Sequence, residues 1–278
     1  MMRKEQWRKQ NRPALLGAGI LGVWILLAVF VPLFWPYSYS DQDVALQNLA
    51  PSIQHWFGTD KFGRDLFARV WYGARLSLVI GVGSAGINGL IGVIWGAAAG
   101  YKGGRVDGIL MGIADILASI PSMLYVILLT LVFGANAGSM ILGLCISGWI
   151  TMARIVRGEI QRWKEAEFAQ AARLTGISES RLLFRHLLPN AAGPVGVQLL
   201  FLIPQAIFTE AFLSFLGVGI GAPAASLGTI IQEARSQMIL YPYQMVCPLT
   251  VLCVMLLALC GLGTWMEKRT EPGRRKRA

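Results

Sequence analysis

The chain has 278 residues, of which 55% are hydrophobic and only 14% charged, and its mean hydropathy is +0.54. A water-soluble domain carries about 25% charged residues, so that class is excluded. The net charge of +10 comes from 25 Lys and Arg against 15 Asp and Glu, but the basic residues gather beside apolar runs, where they set topology and meet anionic lipid rather than nucleic acid.

Those apolar runs approach the ~20 residues that cross a hydrocarbon core ~30 Å thick at 1.5 Å per residue. Taken in chain order they predict six spans at 14–35, 76–100, 108–133, 138–156, 193–216 and 244–266. RKEQWRKQNR precedes the first span, as in a signal peptide. Its apolar run exceeds the 7–15 residues of a signal core, however, and FVPLFWPYS holds no small-x-small cleavage site, so a retained anchor is expected. Placing the amino terminus in the cytoplasm puts 20 of the 25 Lys and Arg inside, leaving Lys61, Arg64, Arg69, Arg75 and Arg235 outside. The positive-inside bias therefore predicts both termini in the cytoplasm. The expected organisation is a basic cytoplasmic amino terminus (1–13), the first span (14–35), an outer segment (36–75), a five-helix core (76–266) and a basic tail (267–278).

In the outer segment, Asp60 is expected to cap a helix beginning at Lys61, Gly63 to permit a close contact, and Arg64 with Asp65 to pair locally or across a subunit boundary. Trp56, Phe57, Phe62, Phe67, Trp71 and Tyr72 would lie at the headgroup level of the outer face. Within the predicted spans the costly polar residues are Asn88, Asp115 and Glu210, read either as structural pairs or as lining of a pathway. Pro121 and Pro204 are expected to kink their helices. Cys145, Cys247, Cys253 and Cys260 fall in spans without a CxxC pair and read as buried, inert thiols, with neither zinc nor a disulfide framework indicated.

The fourth and fifth spans enclose the polar loop 157–192, whose core reads EFAQAARLTGISESRLLFRHLLPN. A helix is expected from Glu159 to Thr175 and ended by Gly176 in the left-handed conformation. A second helix is then expected, capped by Ser178, with Leu182, Leu183 and Leu187 on one face and stopped by Pro189. A solvated linker with accidental periodicity is the alternative.

Here the sequence resembles a known family. Ala171-Ala172-x-x-x-Gly176, followed after twelve residues by Pro189, is similar to the EAA loop of ABC-importer permeases, in the FRHLLPN form of the dipeptide, oligopeptide and nickel permeases. FGTDKFGRDLFARVWYGARLSL (57–78) resembles the GTDxxGRD signature of the same family, with Gly58, Thr59, Asp60, Gly63, Arg64 and Asp65 as the matching positions. EAFLSFLGVGIGAP (210–223) resembles the family's segment after the fifth helix. The resemblance implies an all-α integral membrane protein with six transmembrane helices in the type I ABC-importer permease fold, whose EAA loop forms a coupling helix docked on a cytoplasmic ATPase. Glu167, Gln170, Ala171, Ala172, Gly176 and Pro189 would make that contact. Where the family carries glutamate before the two alanines this chain has Gln170, so an expected ion pair becomes a neutral hydrogen bond, for which Glu167 could partly substitute. An Arg three residues before Asp115, frequent in the family, is replaced by Gly112, so Asp115 needs a partner elsewhere or water.

The implied partners are a second, homologous permease in a heterodimer, two ATPases, an extracytoplasmic binding protein and membrane lipid, in a bacterial or archaeal plasma membrane. No catalytic or metal-binding residues are expected: His55 and His186 fall on opposite sides and HExxH is absent. GxxxxGK[ST] is also missing, so ATP and Mg are expected on the partner ATPases and no cofactor on this chain. The expected function is peptide import. Nickel or another small solute is the alternative, and a channel or secondary transporter the rival of another class.

Overall fold

A computed structural model describes residues 2–270, and these contain eleven α-helices; the carboxy-terminal part of the predicted basic tail lies outside them. Five helical stretches are long and apolar enough to cross a membrane: Gly17–Phe34, Leu66–Lys102, Ala137–Lys164, Glu179–Phe215 and Tyr243–Thr270. A sixth passes only as a bent pair.

Helix α1 (Met2–Phe34) leans on α2 (Leu66–Lys102) and on α11 (Tyr243–Thr270). Ala28 and Val31 join Phe67, Val70, Trp71 and Ala74 of α2 and Val251, Leu252 and Met255 of α11 in one core cluster. Phe67 and Trp71 are therefore buried, correcting the expectation that they lie at headgroup level; Trp56 and Phe62 are the exposed members of that set. The opposite side of α1 shows Val23, Leu26, Phe30 and Leu33, a surface suited to lipid.

Helix α2 is the central post, and it starts ten residues before the predicted span because Asp65 caps it, accepting from the Ala68 N–H at 2.7 Å. A water-driven hydrophobic effect is weak between helices surrounded by lipid tails, so close packing through small residues takes its place. Gly92, Gly96 and Gly100 recur every fourth residue on α2 and meet α6 (Ile150–Lys164). A Cβ on Gly96 would stand 2.9 Å from Val156 Cβ, and one on Gly100 would stand 2.7 Å from the Arg157 carbonyl.

The predicted third span is two helices, α3 (Gly104–Ala118) and α4 (Ser122–Phe133), bent by 71°. Pro121 is the N-cap of α4 and disfavours helical geometry in the residue before it, so the expected kink is a break. Helix α5 (Ala137–Ser147) leads through Gly148 and Trp149 into α6. Helix α9 (Leu188–Phe215) runs unbroken through Pro204, and α10 (Leu227–Ala234) carries a capping box of Ser226 and Thr229 before α11. The four cysteines are free, but Cys253 is exposed and the other three are only half-buried, which corrects the expectation of buried thiols.

Candidate functional site

At one end of the bundle stand α7 (Glu167–Leu174) and α8 (Glu179–Leu182). The single helix expected from Glu159 to Thr175 is interrupted at Glu165 and Ala166, where the Gln170 amide turns back and donates to the Glu165 carbonyl at 2.9 Å. Ala169 is fully buried and packs in one cluster with Val156, Ile160, Leu182 and Leu187. This fixes α7 on the ends of α6 and α9. Glu167 sits in the exposed first turn of α7, where the helix dipole favours an acid. Ala171 is exposed and Ala172 half-buried beside the cluster.

Gly176 follows with φ +78°, and no atom lies within 4 Å of where its Cβ would be. Glycine is needed there for its backbone conformation rather than for space. Ser178 occupies the N-cap of α8 in extended geometry but makes no side-chain capping bond, contrary to expectation. Pro189 does not stop the helix: α8 passes through a π-turn (Leu183–Leu187) into α9, with Pro189 in the first turn of α9. A missing N–H is tolerated at that position and the wider π-turn accommodates the ring. Leu174 and Phe184 remain 90% and 68% exposed at this corner.

At the opposite end, the GTDKFGRD residues form a closed knot. Thr59 accepts from the Leu49 N–H at 2.8 Å and donates to the Leu46 carbonyl. Asp60 accepts from the N–H groups of Phe62 and Arg64 at 2.8 and 3.0 Å and from Arg64 Nε at 2.6 Å. It thus closes a turn instead of capping a helix at Lys61. Asp65, the actual cap, also meets His55 Nδ1 at 2.8 Å and accepts from Trp35 Nε1 at 3.2 Å. Arg64 and Arg69 both reach Glu233 of α10, Arg69 at 2.9 Å. Arg64 therefore pairs with Asp60 and Glu233, not with Asp65. Gly58 and Gly63 both have φ +74°, and a Cβ on Gly58 would lie 2.7 Å from Tyr243 Cε2. Gln244 of α11 donates to the Thr59 carbonyl at 3.0 Å. The signature is thus a fastening between the segment before α2 and the start of α11, with α10 as its third side.

Three polar residues were expected inside the spans, and they behave differently. Glu210 is fully buried and accepts from Ser77 Oγ and Ser214 Oγ, each at 2.8 Å, tying α9 to α2. Asn88 is buried and donates to the Leu144 carbonyl at 3.4 Å. Asp115 opens to the surface and pairs with Arg154 of α6 at 2.7 Å. Sequence reasoning missed Arg154, Glu233 and the bidentate Asp107–Arg157 pair, whose two bonds are both 2.5 Å. Both arginines stand at the cytoplasmic end of the predicted span 138–156, Arg154 two residues inside it and Arg157 one residue beyond, and that placement beside Asp107, just before the preceding span, and Asp115 within it was the available signal.

The arrangement holds helices, fastenings and an exposed corner, and among the described residues no cluster could hold a metal ion. The profile of the family described as binding-protein-dependent transport system inner membrane component matches residues 92–276. The profile of the N-terminal transmembrane domain of oligopeptide transport permease C matches residues 5–51. The chain is 43% identical over 268 residues to an oligopeptide transport system permease protein of Bacillus subtilis, covering 96% of this chain and 88% of that one. It is 47% identical over 232 residues to the dipeptide transport system permease protein of the same organism, covering 83% and 72%. The oligopeptide permease of Escherichia coli K12 is 36% identical over 264 residues, covering 94% and 87%. A chain of the MetNI methionine ABC transporter, solved in inward-facing conformations, superposes with a TM-score of 0.57 at 18% identity, over 74% of this chain and 96% of that one. This likeness shows the fold. The chain belongs to the family of binding-protein-dependent transport system inner membrane components and has the permease fold of an ABC importer.

Proposed function

We propose that this chain is a permease subunit of an ATP-driven importer of dipeptides or oligopeptides, with both termini in the cytoplasm. It pairs with a second, related permease, binds two ATPases at the α7 corner and receives cargo from an extracytoplasmic binding protein. It catalyses no reaction itself; ATP and Mg bind the ATPases. The names of the similar permeases support the peptide cargo.

The observation that carries this reading is the corner Glu167–Pro189. It is fixed to α6 and α9 through Ala169, Leu182 and Leu187, yet presents Leu174, Gly176 and Phe184 outward. A push on the corner is therefore passed to two membrane-spanning helices rather than absorbed by a loose loop. Glu167, Gln170, Ala171 and Ala172 lie on the same short helix, α7, and Pro189 stands in the first turn of α9, where the π-turn after α8 enters it. ATP binding would draw two such corners together and open the pathway outward, and hydrolysis would reset it.

The test is uptake of radiolabelled dipeptide into proteoliposomes holding both permeases. Uptake is expected only with the ATPases, ATP and the binding protein together. Uptake driven by an ion gradient without the ATPases would make the chain a secondary transporter.

A further inference from the structure

Two adjoining hollows of about 570 and 550 Å³ lie at the α7 end of the bundle, between α7 and the ends of α2 and α6. They share Lys164 and Arg173; Gln161 and Glu165 line one, Lys102 and Glu179 the other. Three cations thus stand against two carboxylates. Among the described residues no ion pair joins Lys102, Lys164 or Arg173 to a carboxylate, whereas Arg154, Arg157 and Arg162 of neighbouring α6 are each paired. Lys164 Nζ is held 2.5 Å from the Tyr101 carbonyl and 5.5 Å from the centre of the Tyr101 ring, contacts that fix it without neutralising it.

The depth and the flank of the hollows point to one kind of anion. Lys102 ends α2 two residues past the predicted end of its span, about 3 Å at 1.5 Å per residue, so the hollows sit at headgroup level, where basic pockets between helices take lipid headgroups. Gly103 lines one hollow and is also the N-cap of α3. Helix α3 then runs back alongside α2, as the Trp95 Nε1 bond to the Leu110 carbonyl at 3.0 Å shows. Val106, three residues past Gly103 and on the same side of the helix, begins an exposed apolar stripe that continues through Ile109, Ile113 and Ile116. From Val106 to Ile116 is about 15 Å, the depth of one leaflet of a ~30 Å hydrocarbon core. A basic hollow at headgroup level therefore leads into a greasy stripe one leaflet long.

We propose that the hollows hold the phosphate of an anionic membrane phospholipid and that its acyl chain follows the α3 stripe. Arg173 offers a planar fork that takes two phosphate oxygens, and Lys102 and Lys164 add point charges. Glu165 and Glu179 leave an excess of positive charge, which favours an anionic headgroup over a zwitterionic one. The phosphate bridges α7 to the ends of α2 and α6 and steadies the corner from the membrane side. Which leaflet supplies the lipid rests on the importer reading above; the site itself does not.

The test uses the complex of both permeases and the ATPases, otherwise free of cysteine, in nanodiscs of phosphatidylcholine alone or mixed with phosphatidylglycerol. Gln161→Cys is treated with an uncharged maleimide, and phosphatidylglycerol is expected to slow its reaction at least fivefold. Lys102→Gln and Arg173→Gln are each expected to bring the rate back to within twofold of that in phosphatidylcholine, while Arg185→Gln, at an exposed arginine of the same end that lines neither hollow, keeps the protection. Mass spectrometry of the extracted complex is expected to find one phosphatidylglycerol fewer in the double variant Lys102→Gln, Arg173→Gln than in wild type. No slowing, slowing that survives both single substitutions, or equal lipid retention overturns the proposal. An equal loss in Arg185→Gln also overturns it, leaving only a general attraction of the basic end. Inorganic phosphate added to phosphatidylcholine discs is expected to change the rate less than twofold; protection equal to that of the lipid overturns the lipid and assigns the site to a soluble phosphate. Both leaflets of a nanodisc are open to the reagent, so a failure of the importer reading leaves these rates unchanged.

Discussion

Gly176 shows how one missing side chain bears on the whole device. Its φ of +78° lies in the left-handed region, where a residue with a Cβ costs about 1 kcal/mol and a β-branched one more. Because no neighbour approaches its Cβ position, the cost of substitution is purely conformational. Gly176→Val is therefore expected to leave the chain inserted and folded but to lower coupled ATP turnover at least fivefold, whereas Gly176→Asn, which tolerates the left-handed region, should stay within twofold of wild type. Copurification of the ATPases and uptake-linked ATP hydrolysis at matched permease levels check both; equal behaviour of the two variants contradicts the role given to this turn. The glycine's conformation was legible in the sequence because helix termination is local. The roles of Asp60 and Asp65 were not. Both precede plausible helix starts, and the choice between them is made by Glu233, His55 and Trp35, residues that no local pattern joins.

Among the elements, the contact of α2 with α6 sets the packing of the core. The Gly92, Gly96 and Gly100 stripe lets α6 approach closely, and adding bulk there forces shifts that cost about 1–3 kcal/mol. Gly96→Val is expected to lower the stability of the detergent-solubilised chain by about that amount, while Gly86→Val, at an exposed α2 glycine with nothing within 4 Å, changes far less. Thermal unfolding of the two variants side by side measures the difference, and equal losses would show that helix propensity rather than close approach governs the site. The spans themselves were legible from apolar length alone. The breaks were not: apolar character continues across Pro121, helical periodicity continues across Glu165 and Ala166, and Pro189 looked like a stop because the π-turn ahead of it leaves no mark in composition. The bend of 71° between α3 and α4 likewise comes from one ring constraint.

In the whole molecule, the two ends are built for different work. The GTDKFGRD end is knotted by buried ion pairs, with Arg69 1% and Arg64 6% exposed, while the α7 end offers an apolar corner on a rigid base. Between them lie the buried carboxyls of Glu210 and Asp107, the second paired with Arg157, and the exposed pair of Asp115 with Arg154. The sequence reading grouped Asn88, Asp115 and Glu210 because all three are polar within apolar runs. Only tertiary packing separates those that hold helices together from the one that faces outward. The proposed function requires that the α7 corner lie in the cytoplasm and be covered by a separate ATPase, and labelling tests this most directly. In an otherwise cysteine-free complex in sealed cells, Ser52→Cys is expected to react with an impermeant thiol reagent. Ser178→Cys should react only after permeabilisation, and at least tenfold more slowly once the ATPases are bound. Labelling of Ser178→Cys from outside, or its indifference to the ATPases, would contradict the account.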